Sequence, residues 1–349
     1  MRKISILGSG SYFPAEPIDN DELMKLANIT FDKDKLENVI GIKKRHIAKL
    51  RNLDETTADF AEKASLNAIK SANIKPDEID LIIVATDTPE FISPATSIVL
   101  QGRIQGYQSS TMVFDVGASC ASFVTAFDTA ARMMKCNPNI KNALVVGVYN
   151  MTRYVRDSDA FGWSIFADGA AAFILGNLKD NKSIDSKDDE NNIFKISDYI
   201  DSQFISDGTQ WNFIGVYAGG TRKIINKEIL ESNSYGLELI QRLPPDRNIK
   251  LWPPLVQFLC DKTNVKIEQI DHFIFTQINK SVIIEVMKIL DQPIEKAIMV
   301  MDKYGYTGSA CVPAAFDYAV KEGRIKRGDM VLFCASGAGL AVGANIFIY

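Results

Sequence analysis

The sequence contains little histidine and cysteine, and neither sign of charge dominates. Only two of its 349 residues are histidine, His46 and His272, so a mechanism that needs an imidazole has few places to find one. The five cysteines are odd in number, far apart and never arranged as Cys-x-x-Cys, a pattern that favours neither a disulfide framework nor a zinc site. We therefore expect free thiols and no bound metal.

The charge balance disfavours polyanionic partners. The net charge is −4, with 39 basic and 43 acidic residues, so neither nucleic acid nor an anionic membrane is an expected partner. The apolar run at the start of the sequence is too short and too rich in glycine for a signal peptide. Residues 330–349 carry no charge, but Gly337 and Gly339 interrupt them, which predicts two strands around a turn rather than a membrane span. A cytoplasmic protein is expected.

The chain is organised as two similar halves. Its most polar stretch, 179–192, predicts a linker between an N-terminal half at 1–178 and a C-terminal half at 193–349. Three segments of the first half have counterparts in the same order in the second: 75–90 matches 265–281, 111–130 matches 298–319, and 140–150 matches 327–337. This pattern indicates an internal duplication.

Each half predicts a buried parallel sheet covered by helices. The continuous apolar runs 81–86, 113–116 and 143–148 are typical of strands buried on both faces. Between strands, 55–72 carries small and apolar residues at helical spacing behind a threonine cap. Two such sheets with helices between and outside them predict an α/β fold, specifically a duplicated five-layer α-β-α-β-α arrangement.

Cys120 is the main candidate for chemistry. The segment GASCASF (117–123) follows a predicted strand and precedes an amphipathic helix, so Cys120 is placed near a helix N-terminus. There the helix dipole and free backbone amides are expected to favour the thiolate and lower the pKa of the cysteine. Small neighbours leave room for a substrate. From this environment alone, a buried structural cysteine and a nucleophile remain equally open.

Several runs of the chain resemble the ketoacyl-acyl-carrier-protein synthase III family of the thiolase superfamily. They are DLIIVATDTP, FDVGASCASFVTAF, NALVVGVYNMTR, FADGAAAFILG and ASGAGLAVG. The resemblance implies a thiolase-like fold, a homodimer, acyl loading on Cys120 and decarboxylative condensation with a malonyl thioester. It also implies no permanent cofactor, because an acyl carrier protein with its phosphopantetheine arm, or an acyl-coenzyme A, enters as substrate.

The site departs from the family pattern at two positions. The family's His-Gln-Ala-Asn motif is matched by residues 276–279, so Thr276 replaces the histidine. Its Gly-Asn-Thr-Ser motif is matched by 305–308, so Tyr306 replaces the asparagine. Both hydroxyls can donate hydrogen bonds but are poor bases near neutral pH, which would leave the helix dipole alone to deprotonate Cys120.

The resemblance assigns roles to further residues. Gly337, Ala338 and Gly339 resemble the glycine-rich loop whose amide joins that of Cys120 as an oxyanion hole. Ser93, Phe91 and Asn279 are the expected substrate-contacting positions, with Ser93 standing where relatives place a phenylalanine that narrows the partner's acyl pocket.

The expected donor is carried by a protein rather than by coenzyme A. Lys35 and Ala160 stand where relatives that use coenzyme A clamp its adenine. The cluster Lys43, Lys44 and Arg45 lies in a family segment near the tunnel mouth. Two interpretations stay open: the cluster binds the acidic helices of a carrier protein, or it is only a solvated surface turn.

Three functions remain open. The first is acyl transfer from Cys120 to an amine or hydroxyl of a small-molecule acceptor in a specialised fatty-acid, polyketide or glycan-modifying pathway. The second is decarboxylative Claisen condensation with Thr276 and Tyr306 as hydrogen-bond donors. The third is a non-catalytic subunit that supports an active paralogue.

Overall fold

The computed structural model describes residues 2–177 and 197–349. The linker expected at 179–192 lies outside the described residues, as do the half boundaries at 178 and 193. The strands are β1 (Ser5–Tyr12), β2 (Ile18–Asp19), β3 (Lys44–Arg45), β4 (Leu81–Ala85), β5 (Met112–Val116), β6 (Ala143–Tyr149), β7 (Gly169–Gly176), β8 (Asp198–Gln210), β9 (Ile214–Val216), β10 (Leu237–Leu239), β11 (His272–Phe275), β12 (Met330–Gly337) and β13 (Gly339–Ile348).

Helices connect and cover these strands. They are α1 (Asn20–Leu26), α2 (Lys33–Lys35), α3 (Thr57–Ala72), α4 (Thr96–Gln105), α5 (Ser122–Cys136), α6 (Ala160–Ile165), α7 (Lys227–Glu231), α8 (Arg247–Thr263), α9 (Lys280–Ile289), α10 (Met301–Tyr304) and α11 (Cys311–Lys321). None of the helices in the described residues is long and apolar enough to cross a membrane.

The two main sheets repeat one strand order. The first runs β1-β7-β6-β4-β5, with β4 parallel to β5 and β6, and β7 antiparallel to its neighbours. The second runs β8-β13-β12-β11, with β11 parallel to β12 and β13 antiparallel to its neighbours. A parallel bridge from Phe273 to Ala297 continues it where β5 stands in the first sheet. The order and direction of the strands show the duplication.

The layers follow from which helices face which sheet. Helices α3 and α4 pack on the outer face of the first sheet, and α8 packs on the second with α9 against it. Helices α5 and α11 lie between the sheets and contact both. The predicted α/β fold with five layers is confirmed, as are the two strands predicted within 330–349.

The contact between β1 and α3 is unusually close. Gly8 and Gly10 permit it, since a Cβ on Gly8 would lie 2.3 Å from the backbone nitrogen of Ala72, and one on Gly10 2.4 Å from that of Ala68. The helix begins at Thr57, two residues later than expected, because Thr56 is its N-cap and forms a capping box with Asp59.

Two short turns of 3₁₀ helix meet between the sheets. One is Ser119–Ala121, which precedes α5, and the other is Gly308–Ala310, which precedes α11 in the second half. The first residue of each turn has a positive φ, 50° at Ser119 and 46° at Gly308. The Oγ of Ser309 donates to the carbonyl oxygen of Val148 at 2.9 Å, which ties the second turn to β6.

Candidate active site

Cys120 lies in the first of these turns, at the carboxyl end of β5. It is 9% exposed and opens on a cavity of about 100 Å³. Residues from both halves line this cavity: Asp87, Ser119, Cys120, Tyr149, Met151, Phe161, Phe166, Ile214, Gly215, Leu237, Leu243, Arg247, Asn248, Thr276, Ile278, Tyr306, Ser336, Gly337 and Ala338. The expected catalytic residues Cys120, Thr276 and Tyr306 are therefore brought together.

Tyr306 is held beside the sulfur. Its hydroxyl hydrogen-bonds to the Cys120 thiol, and its side chain is 2% exposed. The ring centroid lies 5.8 Å from that of Phe166 and 6.4 Å from that of Tyr149. Its backbone bridges the strand-like segment at Phe166, so both the main chain and the ring are fixed. The Tyr306 hydroxyl therefore interacts with the Cys120 sulfur and lowers the pKa of the thiol.

Thr276 follows directly on β11 and is 1% exposed. Its Oγ1 accepts a hydrogen bond from the backbone N–H of Ser336 at 2.9 Å, which leaves the hydroxyl proton to donate. The Oγ of Ser336 accepts in turn from Nε1 of Trp252 at 2.6 Å. The neighbouring residue, Gln277, has a structural role: its side-chain amide donates to the carbonyl oxygens of Phe275 and Ile298 and so links β11 to the segment at Ile298.

The turn between β12 and β13 lies against the Cys120 backbone. A Cβ on Gly337 would be 2.2 Å from the carbonyl oxygen of Ala118 and 3.1 Å from the backbone nitrogen of Cys120. Only glycine fits this approach. Ala338 lines the cavity, whereas Gly339, with φ of 125°, follows at the start of β13. An oxyanion hole formed by an amide of this turn and that of Cys120 stays a prediction, and the close approach of Gly337 to the Cys120 backbone is compatible with it.

The pKa of the Cys120 thiol is raised rather than lowered, contrary to the prediction from sequence. The sequence predicts that the helix dipole lowers its pKa, but burial raises the pKa of the Cys120 thiol to about 12, and the nearby Asp87 carboxylate adds to that effect. Hydrogen bonding with Tyr306 and Ser119, together with the charge of Arg247, acts in the opposite direction without cancelling it. Desolvation has the largest effect because the Cys120 side chain is almost wholly shielded from water.

Asp87 is a site residue that the sequence reasoning missed. The Ser119 Oγ donates to Asp87 Oδ2 at 2.9 Å and lies 3.8 Å from the Cys120 Sγ. The other carboxylate oxygen, Oδ1, is shielded from solvent and has no hydrogen-bond partner among the described residues. Desolvation raises the pKa of this carboxyl. Its position just after β4 was the available signal, since the carboxyl ends of parallel strands meet at one edge.

Arg247 and Asn248 bring further polar groups from the first turn of α8 to the cavity. Within residues 2–177 and 197–349, nothing hydrogen-bonds to Nη1 of Arg247 or Oδ1 of Asn248, and both atoms are shielded from solvent. Burial lowers the pKa of the Arg247 guanidinium. Their contribution depends on tertiary packing, so no local motif announces it.

The expected entrance cluster is split by burial. Lys43 and Lys44 are exposed, but Arg45 is fully buried and its Nη2 donates to the carbonyl oxygen of Ser164 at 3.0 Å. Arg45 therefore has no surface to offer a partner, contrary to expectation. The β2–β3 pairing buries it, because alternate residues of a strand point to opposite faces.

The expected substrate-contacting residues lie outside the cavity lining. Asn279 is the N-cap of α9, and its Oδ1 accepts from the backbone N–H of Ser281 at 3.0 Å. Ser93 and Phe91 lie in an exposed loop after β4. In one copy of the chain, none of these three side chains reaches Cys120. Among the described residues, no group of three or more histidine, cysteine, aspartate or glutamate side chains is placed to hold a metal ion.

The duplicated five-layer fold, with a cysteine at the head of a central helix and beside a small cavity, is the arrangement that the resemblance to acyl-transferring enzymes of the thiolase superfamily implies. The family model described as 3-oxoacyl-[acyl-carrier-protein] synthase III matches residues 114–190, and that of its C-terminal domain matches 260–349. The chain belongs to the 3-oxoacyl-[acyl-carrier-protein] synthase III family.

Individual relatives match over the whole length. The chain is 32% identical to a beta-ketoacyl-[acyl-carrier-protein] synthase III of Rhodopirellula baltica over 99% of both chains. It is 34% identical to the synthase of the same name from Wolbachia pipientis wMel over 100% of both. The crystal structure of 3-oxoacyl-[acyl-carrier-protein] synthase III from Aquifex aeolicus superposes with a TM-score of 0.81 at 28% identity, covering 99% of this chain and 100% of the other.

Proposed function

We propose that this enzyme takes an acyl group from a thioester donor onto Cys120 and passes it to an amine or hydroxyl of a small acceptor. The observation that carries this proposal is the hydrogen bond from the Tyr306 hydroxyl to the buried Cys120 sulfur in a small cavity. A donor on sulfur stabilises the thiolate as it attacks and again as it leaves. The close packing of Gly337 on the Cys120 backbone supports an oxyanion hole at this turn.

Acyl transfer makes fewer demands on this site than carbon–carbon bond formation. A malonyl-derived enolate needs two donors aimed at a second thioester carbonyl. Here Tyr306 is engaged with Cys120, so of the two substituted positions only Thr276 keeps a hydroxyl proton to donate to a second thioester. An amine or hydroxyl acceptor needs no enolate, so the donors present suffice.

Decarboxylative condensation is the second candidate function. The observation in its favour is that Thr276 keeps a hydroxyl proton that it can donate into the cavity, from the position of the family histidine. Labelled carbon dioxide from malonyl carrier protein decides between the two. Vigorous release that depends on Thr276 would overturn simple acyl transfer, and absence of release would support it.

We infer that the acyl donor is carried by a protein. The relatives named above are, by name, synthases of a beta-ketoacyl-[acyl-carrier-protein]. Lys43 and Lys44 are exposed cations, and Lys35 and Ala160 offer no aromatic ring for an adenine. The Lys43→Glu, Lys44→Glu double variant is expected to lower loading from acyl carrier protein while loading from acyl-coenzyme A stays unchanged. Equal effects on both donors would contradict a carrier-binding role.

We also infer that a second copy of the chain covers the free edge of the first sheet. β5 is the edge strand, Met112 on it is 47% exposed, and Ile92 and Phe91 in the adjacent loop are 86% and 51% exposed. Apolar side chains exposed along an unpaired edge are typical of an interface. Pairing there would carry Ser93 toward the partner's cavity. The Ile92→Asp variant should run as a monomer in light scattering, whereas the wild type should run as a dimer.

The decisive test of the enzymatic proposal is intact-protein mass after incubation with acyl carrier proteins and acyl-coenzyme A thioesters. The wild type should gain one acyl mass and Cys120→Ala none. Loss of that mass on adding an amine or hydroxyl acceptor, with the acylated acceptor recovered, would establish transfer. Absence of any adduct with every donor would support the non-catalytic subunit instead.

A further inference from the structure

Three groups form a continuous chain from the sulfur to a carboxylate. The Ser119 Oγ lies 3.8 Å from the Cys120 Sγ and 2.9 Å from Asp87 Oδ2, and all three residues line the cavity. Asp87 Oδ1 has no partner in the part of the chain that the structure describes. A cavity-lining carboxylate with a free oxygen beside a nucleophile needs an explanation, because unpaired buried acceptors are costly.

Both histidines lie elsewhere. His46 has its Nδ1 at 3.1 Å from the carbonyl oxygen of Pro14, and His272 has its Nε2 at 3.2 Å from Asp329. Neither lines the cavity. The other titratable groups that face Cys120 are Tyr306, Tyr149, Cys311 and Arg247. Burial raises the pKa of each of these tyrosine and cysteine side chains, so none is a base near neutral pH.

We propose that Asp87 accepts the thiol proton of Cys120 through the Ser119 hydroxyl when the acyl group is loaded. This deepens the proposed function, on which it rests, by assigning the base of the loading step. It replaces the helix dipole, which the sequence reasoning left to deprotonate Cys120 unaided.

The proposed step is balanced in atoms and charge. The Ser119 oxygen receives the proton from Sγ while its own proton moves to Asp87 Oδ2, and Sγ bonds to the carbonyl carbon of the donor thioester. The donor's carbon–sulfur bond then breaks, and its thiolate takes the proton back from Asp87. The products are an acyl-thioester on Cys120, a free donor thiol and Asp87 as carboxylate.

The relay solves the desolvation problem that the isolated thiol faces. If the Cys120 proton left to bulk water, a second negative charge would remain beside the Asp87 carboxylate at a site that is almost wholly shielded from water. Transfer within the relay moves one negative charge from oxygen to sulfur and adds none. The carboxylate that repels a thiolate therefore ceases to repel it at the moment of attack.

Asp87→Asn separates this role from a purely electrostatic one. The variant should load acyl groups at pH 7 on the order of 10²-fold more slowly, the loss typical of a missing general base. It should react with iodoacetamide at pH 8 about tenfold faster, because removing one adjacent negative charge lowers the pKa of the thiol by about one unit. Asp87→Glu should restore part of the loading rate.

Each other result overturns the proposal. If loading and alkylation both accelerate, Asp87 is only a repelling charge; if neither changes, it has no role. Asp157→Asn, an exposed acid, is the matched control. Should Asp87→Asn fail to fold, Ser119→Gly carries the test, since the positive φ at this position suits glycine and the substitution removes only the small CH2OH side chain.

The Ser119→Gly variant must also load slowly at pH 7, and loading at the wild-type rate would refute the relay. Iodoacetamide needs no acyl donor, so the relay and the proposed function fail separately. Alkylation without any acyl adduct in the wild type would sink the proposed function. Acyl adducts formed equally well by Asp87→Asn would sink the relay alone.

Discussion

Replacing Tyr306 by phenylalanine should make Cys120 a weaker nucleophile without disturbing its surroundings. The ring keeps its packing on Phe166 and Tyr149, and only the hydroxyl that hydrogen-bonds to the sulfur is lost. A hydrogen bond to a charged group contributes about 1.5–3 kcal/mol. At about 1.4 kcal/mol per unit, the pKa of the thiol should rise by about one to two units.

The direction of the kinetic effect follows from where the thiol titrates. The pKa of Cys120 is raised to about 12, so below pH 10 only a small fraction is thiolate. That fraction changes tenfold for each unit of pKa, so alkylation by iodoacetamide at pH 8 should slow by about 10- to 100-fold in Tyr306→Phe. Peptide mapping after timed quenching isolates Cys120 from the other thiols.

The matched control is Tyr304→Phe, two residues away. Tyr304 stacks on Phe13 with ring centroids 4.0 Å apart and does not line the cavity. This variant should alkylate at the wild-type rate. If Tyr306→Phe reacts as fast as Tyr304→Phe while both melt within a few degrees of the wild type, the reasoning about the sulfur's hydrogen bond is refuted.

Further changes test the rest of the site. Gly337→Ala should abolish acyl loading and destabilise the fold by about 1–3 kcal/mol, measured by denaturant unfolding, because its Cβ would lie 2.2 Å from the Ala118 carbonyl; a wild-type loading rate would contradict this. Arg247→Gln should slow alkylation of Cys120, since the guanidinium lowers the pKa of that thiol; faster alkylation would reverse the sign. Burial raises the pKa of Asp168 to about 6, so the folded state binds this proton more tightly than the unfolded state, and stability should fall by about 2 kcal/mol as pH rises from 4 to 6. Asp168→Asn should flatten that part of the stability profile, and an unchanged slope would exclude Asp168 as its cause.

Much of the fold could be predicted because buried parallel strands have a strong signature. The runs that became β4 and β6 are fully buried as predicted, whereas β5, predicted to be buried on both faces, is a half-buried edge strand. The repeated segments indicated the second sheet. The meeting of Cys120, Thr276 and Tyr306 came from motif resemblance. These features depend on local pattern or on matched spacing, which a single sequence contains.

The features that escaped prediction depend on how distant segments pack. Arg45 is buried because the β2–β3 ribbon turns it inward, although its neighbours Lys43 and Lys44 are exposed. The rise in the pKa of Cys120 reflects desolvation by walls drawn from both halves and the charge of Asp87, some thirty residues earlier. A helix N-terminus visible in sequence says nothing about the water that the finished cavity excludes.

The meeting of the two 3₁₀ turns has a consequence for how this molecule diversifies. In one turn the first two residues are Ser119 and Cys120, and in the other they are Gly308 and Ser309. The second turn packs against the first and supports it. The hydrogen bond from Ser309 to β6 holds the second turn in place. Substitutions in the Gly308–Ala310 turn, which carries no nucleophile, can therefore shift the position of Cys120 in the other turn without contacting a substrate.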